Sequence, residues 1–140
     1  MSRPGRLERL SADDVDRLTE LYAAEWWTSH RSRDDVARLV EAPGQVLFGA
    51  RDEEGNLVGF ARAITDGVYK ALILDVIVHP DRRGSDLGAG LMDAISSELS
   101  DVEHHELYCL PELVAFYQRW GYTKELGDLT FMRASVRARP

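Results

Sequence analysis

The chain has 140 residues, 44% of them hydrophobic and 29% charged, enough for one domain that buries about two-thirds of its unfolded surface. A formal net charge of -7 argues against a general nucleic-acid binder, which needs surplus Lys and Arg for phosphates, and accommodates a cationic substrate more easily. One cysteine, Cys109, excludes an internal disulfide, and His30, His79, His104 and His105 lack the spacing of a helical zinc pair, so no metal is expected.

The N-terminal Met-Ser-Arg-Pro-Gly-Arg is not followed by an apolar stretch of signal-peptide length, and no run approaches a membrane span. The expectation is a soluble, cytoplasmic protein without membrane contact, and residues 1–140 read as a single domain without linker or repeat. Residues 5–10 read as a short strand. Ser11 and Asp14 have capping-box spacing ahead of Val15, Leu18, Leu21 and Tyr22, which recur at helical intervals and predict a helix to about Glu25. Ser32 and Asp35 repeat the pattern before Val36, Leu39 and Val40, giving a second helix that stops at Pro43-Gly44.

Two apolar runs, 45–51 and 57–64, flank Asp-Glu-Glu-Gly-Asn and predict an antiparallel hairpin. Residues 71–78 are nearly all apolar, as in a central strand buried on both faces, with Asp75 as the interruption. His79-Pro80 ends that strand. Leu87, Leu91, Met92, Ile95 and Leu99 then mark a third helix. A strand is expected over 106–110, carrying Cys109 as a small buried apolar residue, with His104 and His105 as its solvated entry. Pro111 suits the first turn of a fourth helix bearing Val114, Phe116, Tyr117 and Trp120, closed by Gly121. A last strand is expected over 130–136, with room for a short one at 122–124. The fold class is α/β, a mixed sheet flanked by about four helices.

The segment Arg82-Arg83-Gly84-Ser85-Asp86-Leu87-Gly88-Ala89-Gly90 lies between the buried strand and the third helix, so its backbone N–H groups sit at the positive end of the helix dipole. Gly84 and Gly88 remove Cβ atoms that would hold an anion away, and Arg82 or Arg83 can add charge-assisted bonds. A glycine-rich turn with solvated arginines is the plainer reading. The Gly-Lys-Ser/Thr of a P-loop and the Gly-x-Gly-x-x-Gly of a dinucleotide site are both missing from the sequence.

Residues 78–88, Val-His-Pro-Asp-Arg-Arg-Gly-Ser-Asp-Leu-Gly, resemble the acetyl-CoA motif of the GCN5-related N-acetyltransferases (GNAT family), an Arg/Gln-x-x-Gly-x-Gly/Ala core on which Arg83, Asp86 and Gly88 fall. The family usually has Gly where this chain has Asp86, a carboxylate that either faces the pyrophosphate or caps the helix. Residues 113–122, ending Phe116-Tyr117-Gln118-Arg119-Trp120-Gly121-Tyr122, resemble the family's Phe-Tyr-x-x-x-Gly-Phe/Tyr ending.

The resemblance implies a GNAT-like acyl-CoA N-acyltransferase fold with a mostly antiparallel sheet, and acetyl transfer from acetyl-CoA as co-substrate to a primary amine by direct attack. Cofactor contacts would come from Ile77, Val78, Arg82, Arg83, Gly84, Ser85, Asp86, Leu87, Gly88, Ala89 and Tyr117. A backbone N–H near Ile77 or Val78, freed by a bulge, would hold the carbonyl. Tyr117 corresponds to the family's general acid. Asp75 is the candidate base, acting directly or through water, and a buried Asp of structural use fits the same place. Glu25, Trp26, Trp27, Asp66 and Tyr69 lie where the family receives its acceptor, a small-molecule or peptide amine; packing of helices on the sheet is the other reading of the tryptophans. A homodimer is compatible with the family, and a non-catalytic acyl-CoA-binding or sensing module is the alternative function.

Overall fold

The computed structural model describes residues 6–137. Contacts gather the chain into two units, Met1–Tyr108 and Cys109–Pro140.

The first unit is built on five strands in the order β1 (Arg6–Arg9), β2 (Gln45–Arg51), β3 (Leu57–Thr65), β4 (Lys70–Val78) and β5 (His104–Leu107). The first three pairings are antiparallel and β4 pairs with β5 in parallel. Helices α1 (Val15–Ala23) and α2 (Arg33–Glu41) follow β1, and α3 (Leu87–Glu98) makes the crossover between β4 and β5. This is the mixed, mostly antiparallel sheet that the sequence implies.

The helix starts form where the capping residues stand. Ser11 N donates to Asp14 Oδ2 at 3.0 Å while Ser11 Oγ accepts from Asp13 N at 3.3 Å, closing the capping box on a 3-10 turn that leads into α1. Ser32 Oγ accepts from Asp35 N at 3.1 Å at the head of α2. The apolar face of α1, Val15, Leu18, Leu21 and Tyr22, joins Val36 of α2 over Leu47, Leu57, Phe60 and Ile77. Each such side chain contributes about 1.5–3 kcal/mol by leaving water. On the other face α3 buries Leu87, Leu91, Met92 and Ile95, and Leu91 lies over Gly59.

Register sets which strand residues share a face. Arg62 pairs with Asp75, but the next partners are Ala63 and Ile73, so Leu74 is an extra residue, a bulge in β4. Because side chains alternate, Phe60, Arg62, Asp75 and Ile77 all face α1 and α2, whereas Ala63 and Ile73 face the other way. The bulge expected beside Ile77 or Val78 therefore lies upstream, at the point where the charged pair Arg62–Asp75 must be brought to one face.

Strand β5 starts at His104, two residues before the expected start, because its parallel register with Lys70 and Ala71 begins at His104 and His105. Cys109 follows the strand rather than lying on it.

The second unit holds a 3-10 turn, Pro111–Leu113, and one short helix, α4 (Val114–Gln118). Phe116 meets Tyr117 and Trp120 edge-on with centroids 5.0 Å apart, and Tyr117 meets Tyr122 at 6.2 Å. The expected strands at 122–124 and 130–136 are not formed: the described residues beyond Trp120 include no helix or strand. Phe131, Met132 and Val136 are exposed; Met132, Ala134 and Val136 alternate with Arg133 and Ser135 as a strand face would, but no strand among the described residues pairs with the segment.

Candidate functional site

The N-terminus of α3 carries the anion-binding geometry. His79 N donates to Val58 O at 2.7 Å, tying the end of β4 to β3, and a 3-10 turn over Pro80–Arg82 follows. Gly84 has φ of +83°, in the left-handed region that disfavours a side chain, and a Cβ built there meets no atom within 4 Å, so the loop is open above it. Asp86 occupies the N-cap without a side-chain capping hydrogen bond, and the first intrahelical bond recorded is Gly90 N to Asp86 O at 2.9 Å. The capping role is thus not taken up. The N–H groups of Leu87, Gly88 and Ala89 have no intrahelical acceptor, which fits the pyrophosphate that the family motif implies.

The two arginines of the loop are engaged by carboxylates. Arg82 reaches Asp52 Oδ2 at 3.3 Å, and Asp52 is itself held by Glu54 N and Asn56 N at 2.9 Å each. The N–H of Asn56, together with the other turn donors and Arg82, lowers the Asp52 pKa. Arg83 pairs with Glu25, in the connection between α1 and α2, and its Nε lies 3.4 Å from Val78 O. Ser85 Oγ donates to Arg82 O.

Beside this loop, β4 has no paired strand on its β5 side among the described residues. The ladder with β5 ends at Ile73↔Leu107, while β4 runs on to Val78. Since His79 N points to β3 and successive N–H groups alternate, the N–H groups of Val78 and Val76 point away from β3, toward the open edge. The Ile77 side chain is 3% exposed in the core, so that residue offers a ligand only its backbone.

Under α1 sits a buried ionic cluster. Asp75, 1% exposed, accepts on Oδ2 from Tyr22 OH at 2.7 Å, Arg62 Nε at 2.7 Å and an Arg31 guanidinium nitrogen at 3.1 Å. Arg62 also reaches Gln45 Oε1 at 3.2 Å, and the Arg31 guanidinium lies 4.6 Å from the Tyr22 ring centre. Burial, then the Asp75 charge, pushes the Tyr22 phenol far up. Burial works against the charge on Arg62, but Asp75 and Tyr22 more than offset it and its pKa is raised. Sequence reasoning missed Arg31 and Arg62; the signal was a lone Arg in the apolar run 57–64 facing a lone Asp in the next strand.

Other candidates are distributed more widely. Asp66 lies in the turn between β3 and β4, where Oδ1 accepts from Val68, Tyr69 and Lys70 N–H groups at 2.8, 2.8 and 3.2 Å, which lower its pKa. That turn stands at the far end of β4 from the anion loop, as does Tyr69, which is 63% exposed. Trp26 is 77% exposed and Trp27 37%. In the second unit, burial pushes the Tyr117 phenol up to about 12, with Cys109 and Tyr122 adding to the shift. Burial alone takes Tyr122 to about 12, and its hydroxyl has no hydrogen-bond partner among the described residues.

The comparisons with known proteins agree with this geometry. The family model described as "Acetyltransferase (GNAT) domain" matches residues 43–124, from β2 through α4. The chloroplastic serotonin N-acetyltransferase 2 of Oryza sativa subsp. japonica is 32% identical over 116 residues, covering 80% of this chain and 58% of that protein. An uncharacterized ycf52-like N-acetyltransferase of Prochlorococcus marinus is 41% identical over 119 residues, covering 80% and 64%. The uncharacterized N-acetyltransferase ycf52 of Porphyra purpurea is 35% identical over 81 residues, so the chain spans about half the length of that relative (47%). Among solved structures, a GNAT-family acetyltransferase from Streptococcus pneumoniae TIGR4 superposes with a TM-score of 0.73 at 22% identity, covering 95% of this chain and 98% of that one. Glucosamine-6-phosphate N-acetyltransferase from Arabidopsis thaliana gives 0.74 at 17% identity, covering 94% and 98%, and both show a shared fold. With its sheet, its uncapped α3 N-terminus and a family match over more than half its length, the chain belongs to the GNAT acetyltransferase family.

Proposed function

We propose that the protein is an N-acetyltransferase that uses acetyl-CoA to acetylate a primary amine by direct attack. The observation that carries this reading is the uncapped first turn of α3 beside the open edge of β4. The N–H groups of Leu87, Gly88 and Ala89, with Ser85 and the open Gly84 turn, bind the pyrophosphate; Arg82 and Arg83 join by exchanging a carboxylate partner for a phosphate. Bound there, acetyl-CoA supplies an activated acyl group. The Val78 N–H, pointing to the free edge, stabilises negative charge on the carbonyl oxygen.

Tyr117, with its phenol pushed up to about 12, keeps its proton at neutral pH and donates a hydrogen bond to the departing thiolate. Asp75 ties β4 to α1, to β3 and to the connection between α1 and α2. Its Oδ2 is filled by three donors and the side chain is buried, so a base role falls to Oδ1 and is exercised through water. Glu25, Trp26 and Trp27 meet the acceptor. Ring-bearing amines, as in the name of the rice relative, and peptide amines are the acceptors to be compared.

A non-catalytic acyl-CoA-binding module is favoured by one feature, the carboxylate of Asp86 where the family places glycine. Tyr117→Phe separates the two readings. For the enzyme, CoA affinity is retained and amine-dependent thiol release drops at least tenfold; unchanged thiol release across a panel of amines removes Tyr117 from catalysis, and none from the unaltered protein supports the binding module.

A further inference from the structure

Arg82 and Arg83 are neighbours in the anion loop, but the carboxylates that hold them are built differently. Asp52 keeps the N–H groups of Glu54 and Asn56 whether or not Arg82 stays. Glu25 has no such reserve: among the described residues its carboxylate is engaged by Arg83 alone. Its side chain is 17% exposed, against 52% for that of Arg83. The guanidinium can therefore turn to water or to a phosphate, whereas the carboxylate left behind is poorly hydrated and calls for another cation.

The place of Glu25 does not depend on Arg83. Its N–H donates to Tyr22 O at 3.2 Å, its carbonyl accepts from Thr28 N at 3.2 Å, and the buried Thr28 hydroxyl donates to Tyr22 O at 2.8 Å. Farther along the same connection, Arg31 is bound to Asp75. The backbone that carries Glu25 is thus tied to α1 and, through Asp75, to β4.

Arg83 also measures how far Glu25 stands from the acyl edge. In an antiparallel strand the N–H and C=O of one residue point to the same side, so Val78 O faces away from β3 together with the Val78 N–H. Arg83 Nε lies 3.4 Å from that oxygen. With the span of one guanidinium added, the Glu25 carboxylate is within about 9 Å of Val78 O. A cation that takes the guanidinium's place at Glu25 stands within about 6 Å of the same oxygen, next to an acyl group held by the Val78 N–H.

We propose that Glu25 is the cation site of the acceptor: the pyrophosphate of CoA draws Arg83 away, and the ammonium of the incoming amine takes the vacated carboxylate. The inference rests on the loop assignment and the acyl transfer proposed above. Each exchange removes the penalty of the other, so CoA and a cationic amine bind with positive coupling, by the same factor in both directions. The acceptor class that fits is a primary amine charged at neutral pH with no carboxylate beside it; a free amino acid brings a second negative charge to Glu25 and is disfavoured.

Calorimetry of CoA binding at pH 7 and fixed ionic strength, alone and with glycinamide or glycine, tests this without turnover. In the unaltered protein glycinamide should lower the Kd of CoA several-fold, and glycine should leave it unchanged. In Glu25→Gln, which keeps the size and removes the charge, CoA alone should bind several-fold tighter, since Arg83 has no carboxylate to leave, and the glycinamide effect should vanish. With acetyl-CoA in turnover, the same variant should raise KM for glycinamide several-fold with a smaller change in kcat. A Glu25 that only supports the fold would weaken CoA binding when replaced, and that result overturns the proposal. So does a Kd that glycinamide leaves unmoved in the unaltered protein, or that glycine lowers as much. Coupling without any acetylated amine would sink the enzymatic reading and leave the cation site standing.

Discussion

Replacing Asp75 by Asn is the most demanding perturbation of this fold. The carboxylate carries three donors on one oxygen, and two of them are guanidinium groups. Arg31, with a side chain 26% exposed, can turn toward water when the charge is removed, but Arg62, at 10%, cannot do so without moving β3. An amide keeps the shape and loses the charge, leaving the Arg62 cation buried against a neutral partner. Removing one member of a buried pair costs about 3–5 kcal/mol, a large share of the roughly 5–15 kcal/mol that holds a domain folded. With a urea slope of about 1–3 kcal/mol/M the midpoint should fall on the order of 2 M, the slope staying the same. Equilibrium unfolding in urea, followed by circular dichroism, reads this directly. The double variant Asp75→Leu/Arg62→Met, which replaces the buried Arg62–Asp75 pair with apolar groups of similar bulk, should recover part of the loss, the remainder being the Tyr22 hydroxyl left without its acceptor. A loss below about 1 kcal/mol for Asp75→Asn would refute the view that this cluster ties β3, β4 and α1 together.

Three further outcomes follow from the same geometry. Asp86→Asn removes a negative charge from the α3 N-terminus without removing a capping bond, so CoA should bind several-fold tighter at low salt while the ligand-free protein loses at most about 1 kcal/mol of helix-dipole stabilisation; weaker CoA binding by calorimetry would mean that the carboxylate orders the loop. Gly84→Val places a β-branched residue at φ of +83° in the anion loop, and both melting temperature and CoA affinity should fall. Burial raises the phenols of Tyr117 and Tyr122 from 10.0 to about 12, so the stability they confer is full below pH 10 and is lost as pH rises through 12; urea midpoints should hold level up to about pH 10 and then decline, and a decline that begins well below that would contradict the buried, neutral phenols.

Local features of this fold were legible in the sequence, and long-range ones were not. Ser11 and Ser32 announced their helices because a cap is a contact over two or three residues. The open loop from Arg82 to Gly88 was legible because glycine, cation and helix start stand next to one another in the chain. The bulge at Leu74 depends on which β3 residue faces which β4 residue, a register that only tertiary pairing sets. The partners of Asp75 come from α1, the connection between α1 and α2, and β3, and Glu25 meets Arg83 across 58 positions, so no short window of sequence contains either contact. Residues 130–136 misled in the opposite direction: their composition suits a strand, but a strand exists only when a neighbour accepts its hydrogen bonds.

The central claim is that the α3 N-terminus and the open edge of β4 together support acyl transfer. The most direct measurement mixes the protein with acetyl-CoA and a primary amine and follows free thiol and acetylated amine together, the first by a thiol reagent and the second by mass spectrometry. The result predicted is one acetylated amine for each thiol released, at a rate that requires the protein and falls at least tenfold in Gly84→Val. Saturating acetyl-CoA that leaves the melting temperature unmoved, or thiol release that proceeds without an acetylated amine across ring-bearing, aliphatic and peptide acceptors, would contradict it.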